Sequence, residues 1–126
     1  MIVLDSSGWL EYFADGPFAE EFAAYLQEPE EVFTSTIALY AVYKWLKRER
    51  SEESAMHAVA AMKTTHIVEL SEEIALTAAD LSLAHGLAMA DALMLATARA
   101  RGAPLMTTDS DFEGIPDVVV FSKQKR

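Results

Sequence analysis

Asp5, Asp91, Asp109 and Asp111 are the residues of this chain whose type and placement promise chemistry. Asp5 ends the apolar run Met1-Ile2-Val3-Leu4, and Asp109 and Asp111 follow Pro104-Leu105-Met106-Thr107-Thr108. Asp91 sits among Met89, Ala90, Ala92, Leu93 and Met94, with no Lys or Arg one turn away on either side. A carboxylate at the end of a buried strand is costly unless its charge is compensated, and few basic residues stand near these positions. Converging carboxylates without a cation would repel and raise one another's pKa, whereas Mg²⁺ or Mn²⁺ accepts hard oxygen ligands from carboxylates and water. An ion held this way activates a water and stabilises the attacking and leaving oxygens of an in-line displacement. The expected chemistry is therefore hydrolysis of a phosphodiester. Simpler uses compete: Asp5 suits the cap of a following helix, and Asp109 and Asp111 suit a side-chain-bonded turn. Asp91 is the hardest to explain without a ligand.

Other chemistries have less support. The chain has no cysteine, which excludes disulfides and thiolate sites. His57, His66 and His85 lack ligand-like spacing, and no phosphate loop, nucleophile elbow or zinc-protease motif occurs. Ser6 and Ser7 have no evident base.

The elements that must position the acids are short apolar runs alternating with helix-like stretches, the pattern of an α/β fold with a mostly parallel sheet flanked by helices in three layers. Strands are expected at Ile2 to Asp5, Glu31 to Thr34, His66 to Leu70, Pro104 to Thr107 and Asp117 to Phe121. Helices are expected between Pro17 and Pro29, from a Ser35 cap to about Arg50, after Ser51, from Ser71 to Gly86, and over Met89 to Arg101 with Gly102 as the stop. In such a sheet, ligands bind beyond the carboxyl ends of the strands where strand order reverses. Asp5 and Asp109 occupy such ends.

With 126 residues and 52% apolar content, one domain spanning 1–126 is expected. Net charge of −10 argues against generic nucleic-acid binding. The ten basic residues are clumped, however: Lys44, Lys47, Arg48 and Arg50; Arg99 and Arg101; Lys123, Lys125 and Arg126. Such clusters suit solvated helix faces and a frayed tail, or contact with RNA or an acidic partner segment, for which Lys44, Lys47 and Arg48 are the RNA-contact candidates. No apolar run of about 18 residues and no leader-like N-terminus occurs, so a soluble, cytoplasmic protein without a membrane partner is expected. Trp9, Tyr12, Phe13, Trp45 and Met56 exceed what a small core requires and would permit a homodimer.

Four segments together resemble a known family: Met1-Ile-Val-Leu-Asp5-Ser6-Ser7; Thr36-Ile37 through Tyr43-Lys44-Trp45-Leu46-Lys47-Arg48; His85-Gly86-Leu87-Ala88-Met89-Ala90-Asp91-Ala92; and Leu105-Met106-Thr107-Thr108-Asp109-Ser110-Asp111-Phe112. In this order they resemble a PIN-domain ribonuclease of the VapC toxin type, over nearly the whole chain. The resemblance implies a PIN-like fold, Mg²⁺- or Mn²⁺-dependent endoribonuclease activity, a homodimer, and inhibition by a small antitoxin. Carried over, it implies that Asp5, Asp91 and Asp109 are catalytic, metal-coordinating acids, Asp111 a further candidate ligand, and Ser6 and Thr107 supporting hydroxyls. One position departs from the pattern: where the family has a glutamate, this chain has Ala41. Glu49 lies eight residues further on, about 12 Å at 1.5 Å per residue, too far to substitute. The alternative reading is therefore a catalytically silent PIN domain that binds a protein partner or RNA. A phosphoacceptor domain fits poorly, because no aspartate follows the third expected strand.

Overall fold

The computed structural model of the chain describes residues 1–122 and contains a five-stranded sheet. In chain order the elements are β1 (Ile2–Leu4), α1 (Ser6–Phe13), α2 (Ala19–Tyr25), β2 (Val32–Ser35), α3 (Thr36–Glu49), α4 (Glu52–Met62), β3 (His66–Val68), α5 (Glu72–His85), α6 (Met89–Arg101), β4 (Leu105–Thr107) and β5 (Val118–Val120). Short 3-10 turns cover Pro29–Glu31 and Ser110–Phe112. The sheet order is β3-β2-β1-β4-β5 and every pairing is parallel. All five expected strands form. The C-terminal basic cluster Lys123, Lys125 and Arg126 lies outside the described residues.

Side-chain caps set the helix starts. Ser35 accepts from the Ile37 amide at 2.8 Å, Ser51 from Ser54 at 3.0 Å and Ser71 from Ile74 at 3.1 Å, each satisfying one of the donors a helix leaves open. Gly86 and Gly102 end α5 and α6 at φ of 69° and 61°, the left-handed region that a side chain disfavours. The core forms where Val3, Leu4 and Leu105 of the central strands meet α6, whose residues Ala92 to Ala98 are all buried. Small residues let α6 lie close to its neighbours. Ala60, Ala75, Ala79, Ala90 and Ala100 instead face solvent and take no part in that packing.

The aromatic surplus expected to supply a dimer surface is partly spent inside. Trp9 is 1% exposed and stacks on Phe13 at 5.6 Å, while Phe13 and Trp45 are half-buried. Gly8 lets Phe22 of α2 pack closely on α1: a Cβ there would stand 2.9 Å from the Phe22 ring and 3.1 Å from Leu4. Among the described residues, no single helix is long and apolar enough to cross a membrane.

Candidate active site

Strand order reverses at β1, which pairs with β2 on one side and β4 on the other through Val3↔Leu105 and Leu4↔Met106. The two chain segments leaving β1 and β4 therefore diverge from adjacent carboxyl ends, which opens the crevice where parallel sheets bind ligands. Asp5 leaves β1 into this crevice and Asp109 leaves β4. Asp91, in the first turn of α6, reaches the same edge.

Asp5 is almost wholly buried and held from three sides. It caps α1 by accepting from the Ser6 amide at 2.7 Å, and also accepts from the Thr107 hydroxyl at 2.6 Å and the Ser7 hydroxyl at 3.1 Å. Burial pushes its carboxyl pKa up; the three hydrogen bonds pull the other way, and the Asp109 charge adds to the rise. Ser7 also accepts from the Thr108 amide at 2.9 Å and stands 3.1 Å from the Thr107 hydroxyl. Thr107 in turn accepts from the Asp109 amide at 3.0 Å. The hydroxyls of Ser7 and Thr107 thus tie the end of β1 to the start of the Asp109 turn.

Asp109 caps the 3-10 turn by accepting from the Asp111 amide at 2.9 Å. That turn swings Asp111 back toward Asp91. One carboxylate oxygen each from Asp91, Asp109 and Asp111 lies within 4.8 Å of the others. Asp91 carries the electrostatic consequence. Its carboxyl is pushed up to about 7, first by desolvation and then by the charges of Asp109, Asp5 and Asp111, with a hydrogen bond to Asp109 favouring the protonated form. Among the described residues no ion pair reaches this cluster. Hard oxygen donors crowded together without a countercharge are the donor set that suits a divalent cation.

The expected acids Asp5, Asp91 and Asp109 share one crevice, but the tight triad is Asp91, Asp109 and Asp111, with Asp5 behind it. Ser6 contributes mainly its backbone amide, its hydroxyl standing 3.5 Å from Asp5. The hydroxyl that bridges the strands belongs to Ser7, which nothing in the local sequence distinguished from Ser6. Only the register of β1 against β4 separates them. Ala41 is half-buried in α3, the helix that leaves the neighbouring β2. Lys44, Lys47 and Arg48 are exposed on the same helix, outside the acid crevice.

Solved structures resemble the whole chain. A toxin–antitoxin complex from Klebsiella pneumoniae superposes with a TM-score of 0.81 at 27% identity, covering 95% of this chain and 97% of that one. VapC20 from Mycobacterium tuberculosis, described as a sarcin–ricin loop cleaving toxin, gives 0.77 at 19% identity over 92% and 95%. FitAcB from Neisseria gonorrhoeae gives 0.74 at 24% identity over 96% of both chains. No curated protein sequence matches. A family model for the PIN domain matches residues 2–118, and a match across that much of the sheet and all four acids makes this chain a member of the PIN-domain family.

Proposed function

We propose that this chain has the framework of a divalent-metal-dependent endoribonuclease, the toxin partner of a toxin–antitoxin pair, with Asp5, Asp91, Asp109 and Asp111 serving Mg²⁺ or Mn²⁺. The observation that carries the reading is the carboxylate triad, its oxygens within 4.8 Å of one another and no cation paired to it among the described residues. All its donors are hard oxygens, so the residues present fit the ion. A bound Mg²⁺ or Mn²⁺ supplies Lewis acidity and a water of lowered pKa. The chain's own contribution is orientation: Ser7 and Thr107 fix the Asp5 carboxylate, and the Asp109 cap fixes the turn that presents Asp111. The likeness to a toxin–antitoxin complex supports an antitoxin as partner, and the likeness to a sarcin–ricin loop cleaving toxin supports RNA as substrate; a cytoplasmic location and a homodimer complete the proposal. The exposed apolar residues suited to a dimer face are Leu76, Leu83 and Met89 on α5 and at the start of α6.

Ala41 favours a second reading, a silent domain that binds but does not cut, because a cluster short of one carboxylate offsets less of an ion's desolvation. One experiment separates the two. Ala41→Glu raises Mg²⁺- or Mn²⁺-dependent RNA cleavage by at least about a hundredfold, the scale of a well-placed catalytic group. Adding Asp5→Asn removes that gain. A folded Ala41→Glu protein that cleaves no RNA with either ion leaves the silent binding domain as the function.

A further inference from the structure

We infer that the outward face of α3 is a metal-independent binding strip for single-stranded RNA, with Tyr40 and Tyr43 stacking bases while Lys44, Lys47 and Arg48 hold phosphates. The inference deepens the ribonuclease reading and rests on it for its purpose. Helix α3 buries Ala38, Val42 and Leu46. Positions 40, 43, 44, 47 and 48 fall at the i, i+3, i+4, i+7 and i+8 spacing of the opposite face. They run for about 12 Å at 1.5 Å per residue and line a shallow depression of about 560 Å³.

The side chains are already paired for the task. Lys44 Nζ donates to the Tyr40 hydroxyl at 3.3 Å and sits 5.5 Å from its ring centroid. Lys47 repeats the arrangement on Tyr43 at 3.3 and 5.4 Å. Each pair holds a cation beside an aromatic face, the combination that grips a phosphate and stacks a base without reading sequence. Tyr40 is 64% exposed, an aromatic surface with no packing role of its own. The ion pairs Lys47–Glu52 at 3.5 Å and Arg48–Glu49 at 2.9 Å are exposed and weak, so a phosphate displaces them readily. Lys44 has no carboxylate partner among the described residues.

Charge decides the occupant. The chain carries −10 overall, yet three of its ten Lys and Arg residues stand on two turns of this one face. A polyanion repelled by the body of the protein is attracted here. Double-stranded RNA hides its base faces and offers nothing to the tyrosines, so the single strand is the fitting form.

The test uses the chain as it stands, with EDTA present and a labelled single-stranded oligouridylate followed by fluorescence anisotropy. Binding should weaken with KCl along a log–log slope of about −2, the value for three phosphate contacts on a single strand. Replacing both lysines, Lys44→Ala with Lys47→Ala, should shrink that slope by about 1.4. Tyr40→Ala should weaken binding about tenfold at unchanged slope, and Tyr40→Phe should retain it. Lys63→Ala, exposed and off the strip, should change neither. Binding that needs Mn²⁺, that survives the double lysine change, or that is equal for duplex RNA overturns the inference. In the Ala41→Glu background, the strip variants should raise KM and leave kcat within about twofold. Cleavage without any KM effect overturns the strip and leaves the ribonuclease standing. Oligouridylate binding without cleavage by Ala41→Glu does the reverse.

Discussion

Replacing Asp91 by Asn should make the metal-free protein more stable, although it removes a functional group. The Asp91 carboxyl titrates near 7 in the fold against an ordinary 3.8. Between those values the folded chain binds a proton that the unfolded chain has released, so stability falls as pH rises through this window and levels off above about 7. A rise of about 3 units corresponds to about 4 kcal/mol at 1.36 kcal/mol per unit. Asp91 is only half-buried, and solvent screening reduces the expected cost to about 1–2 kcal/mol. Asn keeps the shape without the charge and should recover that amount at pH 8 in EDTA, raising Tm by about 4–8 °C. At pH 4.5 the gain should be small. Saturating Mn²⁺ should raise the Tm of the parent more than that of Asp91→Asn, because the ion binds the parent's folded form more tightly. Thermal unfolding followed by circular dichroism reads all four conditions. An unchanged or lower Tm for Asp91→Asn at pH 8 in EDTA would refute the claim that this carboxylate is held against its own repulsion.

Two further outcomes follow from the geometry. Ser7→Ala strands the Thr108 amide and removes a donor from Asp5; it should cost about 1–2 kcal/mol and weaken Mn²⁺ binding about tenfold, with Ser7→Thr retaining both, as titration calorimetry and urea unfolding would show. If Leu83, 87% exposed on α5, lies in a dimer face, sedimentation should give twice the 13.9 kDa chain mass for the parent and the single mass for Leu83→Glu; a monomeric parent at micromolar concentration removes the dimer.

The parts of this fold legible in the sequence are those fixed by local chemistry. Ser35, Ser51 and Ser71 mark helix starts because a hydroxyl there satisfies an open amide, and Gly86 and Gly102 mark stops because left-handed backbone disfavours side chains. The strands are legible as short apolar runs rich in Val, Ile, Leu or Phe between those helices. What stayed hidden depends on contacts distant in sequence. Trp9 reads as surplus from composition alone, yet it is 1% exposed because it joins the tertiary core, which no local pattern encodes. Ser7 gains its place only when β1 and β4 pair, one hundred residues apart.

The same dependence explains why Asp5, Asp109 and Asp111 supported two readings, a local cap or turn and a ligand, and why the two do not exclude each other. A carboxylate offers about four acceptor directions over two oxygens. Asp5 spends one oxygen mainly on the Ser6 amide and the other on Thr107 and Ser7, so it is the most saturated and the most rigid of the four. Asp109 spends one oxygen on the Asp111 amide and keeps the other free of backbone donors. Asp91 accepts no backbone or hydroxyl hydrogen bond among the described residues, so nothing offsets the desolvation and the neighbouring charges that push its pKa up to about 7. Local capping therefore grades the acids from fixed to available. The less saturated acids Asp91 and Asp109 belong to the triad with Asp111, while Asp5 does not, so the capping that makes Asp5 and Asp109 look merely structural also fixes the frame in which the remaining carboxylates meet.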